Sequence, residues 1–108
     1  MARIPSRFNV NVTISDAVTD FAGDHGLSRS EVVNQAVGLA ATNFHEAIRH
    51  RIMSEPIETG AKPASYMLDP PNILWLHDAA ERIGIAKDAI LRIALDYYLH
   101  EQSPSGHR

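Results

Sequence analysis

The sequence contains no cysteine. A disulfide framework and thiolate metal sites are therefore excluded. An excess of positive charge is lacking too: ten Lys and Arg stand against thirteen Asp and Glu, for a formal net charge of −3. This rules out a polybasic tail or a diffuse cationic coat, but not a protein that touches DNA through a few well-placed groups. The longest weakly polar stretch, Val32 to Phe44, is interrupted by Asn34, Gln35 and Asn43. It falls short of the roughly 20 apolar residues that span a bilayer, so no membrane association is expected. Met1 to Phe8 has no continuous apolar stretch like that of a signal peptide, and the expected location is the cytoplasm.

Recognisable catalytic chemistry is also missing. No Gly-rich phosphate loop follows a strand, and no Ser/His/Asp grouping stands out from ordinary exposed polar residues. His45-Glu46 and His50 invite comparison with the H-E-x-x-H zinc motif, which needs its histidines four apart on one helix face. Here they are five apart, about 140° around a helix. No metal site, no cofactor and no enzymatic activity are expected.

What remains is an ordinary globular composition, 44% hydrophobic and 21% charged over 108 residues. A chain of this size buries only about 60–65% of its unfolded surface. Without covalent staples, association into a homodimer or higher homo-oligomer is an expected source of further core. From Arg7 to Ile14, Phe8, Val10, Val12 and Ile14 alternate with Arg7, Asn9, Asn11 and Thr13. Period-2 alternation predicts a strand with one apolar and one polar face. It has no neighbouring strand in its own half, so its backbone must pair elsewhere. Ser15 is the expected N-cap of a short helix to about Asp24, with Gly26 as its left-handed stop. Ser28-Arg29-Ser30-Glu31 has the form of a capping box and predicts a second helix reaching about Met53.

The second half has a similar order. A strand is expected over Ala64–Leu68, then a helix with Asp69 as N-cap and Pro70 in its first turn, ending at Gly84. A last helix runs from about Lys87 to Glu101. Gly26-Leu27, Arg29, Val33 and Ala36-Val37 match Gly84-Ile85, Lys87, Leu91 and Ala94-Leu95 at an offset of 58 residues. Matching Ile14-Ser15 to Leu68-Asp69 requires a loss of four residues, about one helical turn, from the first unit. The organisation is read as a first unit over 1–54, a linker over 55–62, a second unit over 63–102 and a flexible tail over 103–108. Trp75 is expected at an interface between chains.

Phe8-Asn-Val-Asn-Val-Thr-Ile-Ser15 with Gly26-Leu-Ser-Arg-Ser-Glu-Val-Val-Asn-Gln-Ala-Val37, and Tyr66-Met-Leu-Asp69 with Ala80 to Leu95, resemble the ribbon-helix-helix family of Arc/MetJ-type DNA-binding proteins. The resemblance implies a mainly α fold of two ribbon-helix-helix units, strand-helix-helix repeated, whose strands pair as an antiparallel two-stranded ribbon. It implies double-stranded DNA as partner, the ribbon entering the major groove, and a role as transcriptional repressor or as plasmid or phage maintenance or transfer regulator. Outward strand residues Asn9, Asn11 and Thr13, with Arg7 one step earlier, would contact bases. Ser28, Arg29 and Ser30 would hold a phosphate at the helix start, with Lys87 as the usable counterpart. The second ribbon strand offers Pro63, Ser65 and Met67, a poorer set, and Asp88 at its helix start would repel a phosphate. Residues 55–108 carry the whole acidic excess, five basic against eight acidic side chains, which makes a protein partner the alternative role for this half. In that rival reading the fold serves as a protein-binding module, an antitoxin or phage-encoded antagonist. Pairing of the two units within one chain, followed by dimerisation of chains, is the expected assembly; pairing between chains is the alternative.

Overall fold

The computed structural model describes residues 2–53 and 61–102. Strand β1 (Ile4–Asn11) leads into helix α1 (Val12–His25), followed by α2 (Arg29–Thr42) and α3 (Phe44–Met53). Strand β2 (Ala61–Leu68) leads into α4 (Pro70–Ile83) and α5 (Lys87–Gln102). The protein is mainly helical, and β1 and β2 pair antiparallel in a two-stranded sheet of the same chain. The tail expected over 103–108 and most of the expected linker lie outside the described residues, but Ala61 and Lys62 belong to β2.

Pairing places Phe8 opposite Ala64 and Ser6 opposite Tyr66 on the inner ribbon face. Phe8, Val10, Tyr66 and Leu68 are buried there with Val33, Ala36, Val37, Leu91 and Leu95 of α2 and α5. The apolar half of each strand thus closes on a helix stripe of matching period. The turns after α1 and α4 each end on a left-handed glycine, Gly26 with φ 66° and Gly84 with φ 84°, a conformation that a Cβ disfavours.

Several local expectations are corrected. The first strand occupies Ile4–Asn11 instead of 7–14, because Asn11, the last residue of the ladder opposite Ala61, also caps α1: its side-chain oxygen accepts from the Thr13 amide at 2.8 Å. An apolar residue every second position fits a strand, but Ile14 also falls on the buried stripe of α1 with Val18 and Ala22, while Val12 is left exposed. Ser15 is accordingly not the cap; it is buried against Tyr66, to which it is hydrogen-bonded. Asn11 at the start of α1 and Asp69 at the start of α4 stand 58 residues apart, so the expected loss of four residues does not separate the two helix starts. Asp69 makes no side-chain cap bond; its carboxylate accepts from Arg3 Nε at 3.0 Å.

The long second helix is broken at Asn43, where φ −123° and ψ 43° leave the helical region. The Asn43 amide donates to the Leu39 carbonyl, and its own carbonyl receives the Ala47 amide. The turn lets α3 fold back on α5, with Ala47 buried among Ala40, Ile93, Ala94 and Tyr97. Trp75, half-buried, meets Phe44 of its own chain edge to face at 5.1 Å between ring centroids.

Asn34 is the polar centre of the packing. It is 6% exposed on the apolar side of α2. Its Nδ2 donates to the carbonyls of Ser30 and Met67, and its Oδ1 accepts from the Asp69 amide and from Asn72 Nδ2. Truncation would leave several buried partners unsatisfied, which costs more than the loss of one exposed bond. Asn34→Ala should therefore lower unfolding free energy by about 2–3 kcal/mol. Asn11→Ala, the loss of an N-cap, should cost about 1 kcal/mol. Urea unfolding compares the two; equal midpoints for both variants would refute the central role of Asn34.

Candidate nucleic-acid interface

Strand alternation turns one ribbon face away from the helices. Along it, directly opposed pairs are Pro5 with Met67, Arg7 with Ser65, and Asn9 with Pro63. All six are exposed. Of the residues expected to contact bases, Arg7 and Asn9 lie on this face, joined by Ser65 and Met67 of the second strand. Asn11 and Thr13 do not: Asn11 is 6% exposed as the α1 cap, and Thr13 lies in the first turn of α1.

The ribbon has two outer edges, and each is closed by the opposite half of the chain. On β2, the Met67 amide donates to Ser30 Oγ at 2.8 Å, and the Met67 carbonyl accepts from Asn34 at 2.9 Å. On β1, the Asn9 amide donates to Asp88 Oδ2 at 3.2 Å, and the Asn9 carbonyl accepts from Arg92 Nη1 at 3.2 Å. The first two turns of α2 therefore hold β2, and the first two turns of α5 hold β1. Because the backbone groups of Met67 and Asn9 point away from the partner strand, their opposed residues Pro5 and Pro63 sit at non-hydrogen-bonded positions of the ladder. Proline there removes no ladder bond, so Pro63 is accommodated inside the strand and not only at a ribbon end.

The helix starts repeat this exchange. Lys87 Nζ stands 4.8 Å over the Phe8 ring, a cation–π contact across the two halves. Tyr66 is pushed above the ordinary phenol value by burial, a rise opposed by the Arg29 charge and the Ser15 hydrogen bond. Arg29 and Ser28 are exposed, and Ser28 Oγ accepts from the Glu31 amide as the capping box requires. Ser30 differs from the expectation for a phosphate contact, since its hydroxyl is engaged by the ribbon. Asp88 has the corresponding task on β1. Arg7 is the one cation among the six outward residues; Lys87 lies over Phe8, Arg29 lies near Tyr66, Lys62 pairs opposite Val10, and Arg92 binds the Asn9 backbone beside Asp88. Glu31 and Asp69 nearby are both bound by Arg3, at 2.7 and 3.0 Å.

No family model, no curated protein and no solved structure matches the chain. Among the described residues no helix is long and apolar enough to cross a membrane.

Sequence reasoning missed Asn34, Asp88, Arg92 and Arg3 as the groups that fix the ribbon. For Asn34 the signal was present: an amide on the apolar stripe between Val33 and Val37 needs buried partners. Arg3 gave no pattern, because its two acids come from residues 28 and 66 positions away.

The Arg3 hydrogen bond, with one from Gln35, holds the Glu31 carboxyl below its ordinary value. A depressed folded-state value contributes stability above the ordinary carboxylate range, lost as pH falls through the lowered value. Thermal unfolding from neutral pH to about pH 3 should show this acid-side loss, and Glu31→Gln should make it smaller. An identical pH profile for the variant would remove Glu31 from the acid response.

Proposed function

We propose that the chain is a tandem ribbon-helix-helix protein that binds double-stranded DNA through the outward face of its β-ribbon. The observation that carries this reading is the six-residue outward face of an antiparallel ribbon paired within one chain, with Arg7 and Asn9 exposed on it and the backbones of Met67 and Asn9 fixed from the helices. The major groove of B-DNA, about 12 Å wide, admits a two-stranded ribbon and presents a distinct donor and acceptor pattern for each base pair. Arg7 suits guanine and Asn9 suits adenine. Arg29 and the exposed start of α2 suit a backbone phosphate, which positions the ribbon without specifying sequence. Lys87 is a weaker phosphate group because it is shared with the Phe8 ring.

In this reading the second unit completes the ribbon and contributes Ser65 and Met67 to it. One chain already has both strands, so association of chains serves to place ribbons on neighbouring DNA sites and not to create the ribbon. The biological role is regulation at a DNA site, as a transcriptional repressor or a plasmid or phage maintenance or transfer regulator.

Fluorescence anisotropy with a duplex selected from a random pool tests the reading. Affinity should fall steeply with salt, as phosphate contacts require. Arg7→Ala and Asn9→Ala should each weaken specific binding by roughly 1–3 kcal/mol, while Lys87→Ala should act less and equally on all sequences. Full affinity in both ribbon variants, or no duplex bound at all, would sink the proposal and favour a protein partner.

A further inference from the structure

The scaffold of the ribbon is closely two-fold, but its outward face is not. Ser30 and Asn34 hold the backbone of Met67 as Asp88 and Arg92 hold that of Asn9. Arg29 lies close enough to Tyr66 for its charge to act on the phenol, and Lys87 stands over the Phe8 ring. A local two-fold through the Arg7–Ser65 pair would exchange Pro5 with Pro63, Arg7 with Ser65, and Asn9 with Met67. Only the prolines are chemically equivalent under that exchange. Arg7 offers a forked cation and Ser65 a short hydroxyl. Asn9 offers a planar donor–acceptor pair, and Met67 an apolar thioether that is 43% exposed.

We infer that one molecule reads an asymmetric DNA site in a single orientation, with Asn9 and Met67 as the residues that set the two unlike ends. This rests on the DNA-binding reading above. Asn9 pairs with adenine N6 and N7 at one end, where amide geometry allows a bidentate contact. Met67 packs on a thymine methyl at the other end, the apolar contact that the major groove offers. Arg7 reads guanine near the centre, and Ser65 opposite it tolerates more than one base. Both ends are held by two backbone hydrogen bonds, so each side chain is presented from a fixed Cα. Turning the duplex around would set Met67 against the adenine amino group and Asn9 against the methyl. A buried polar group would then go unpaired, which disfavours the reversed complex.

The test is selection from a random duplex pool with the full chain, followed by Met67→Asn and Asn9→Met. The backbone of residue 67 is held by its own amide and carbonyl, and its side chain is exposed, so either substitution leaves the anchoring bonds in place. The parent should select a non-palindromic site. Met67→Asn should gain an adenine preference of roughly five- to hundredfold at the mirrored position, making the site more palindromic. Asn9→Met should lose the adenine preference at the first end, and it tests the same assignment should Met67→Asn fail to fold. A palindromic parent site, or an unchanged site for both variants, overturns the asymmetry while leaving DNA binding intact. Failure of the parent to select any site overturns the DNA reading and the asymmetry with it.

Discussion

A two-stranded ribbon leaves an open row of backbone donors and acceptors along each edge, and a ribbon alone is marginal in water. This chain anchors each edge at one residue with side chains from the first two turns of a helix. Ser30 and Asn34 lie one turn apart on α2 and take the amide and carbonyl of Met67. Asp88 and Arg92 lie one turn apart on α5 and take those of Asn9. The same two helices bury the inner ribbon face, so edge closure and core packing are one event. Each half holds the strand of the other, and neither strand has its full set of partners without both.

The two closures use different chemistry. At β2 the groups are neutral, and Asn34 is buried with its donor and acceptor capacity spread over four partners. At β1 the groups are charged and partly exposed, and the bonds are longer. A neutral, satisfied amide tolerates burial, while charged groups such as Asp88 and Arg92 stay partly exposed and keep part of their hydration. The β2 edge is therefore the deeper anchor. Helix α3 adds to the opposite side, where Arg51 and His50 both reach Asp96 of α5 at 3.1 Å. That contact ties α5 to α3 at the far end of the helix whose start holds β1.

Proline placement follows from the same edges. Pro5 and Pro63 face Met67 and Asn9, the two residues whose backbone groups turn outward to the helices. A missing amide at either position costs the ladder nothing. The outward face can then carry two prolines, stiffening both strands, and still pair along its length.

Much of the local structure was legible before any fold was known. The glycine stops at 26 and 84, the N-cap at Ser28, the proline start of α4 and the apolar stripes of α2 and α5 all follow from rules within a few residues. Alternation also found a strand carrying Arg7 and Asn9. It could not fix where that strand ends, because Ile14 satisfies a strand face and a helix stripe alike. The break at Asn43 and the pairing of β1 with β2 of its own chain were settled by long-range packing. These choices depend on partners far away in sequence: Asp88 for Asn9, Asn34 for Met67, Trp75 for Phe44. Local propensity is a sum over neighbours, whereas satisfying a strand edge or burying an amide is a condition on the assembled chain.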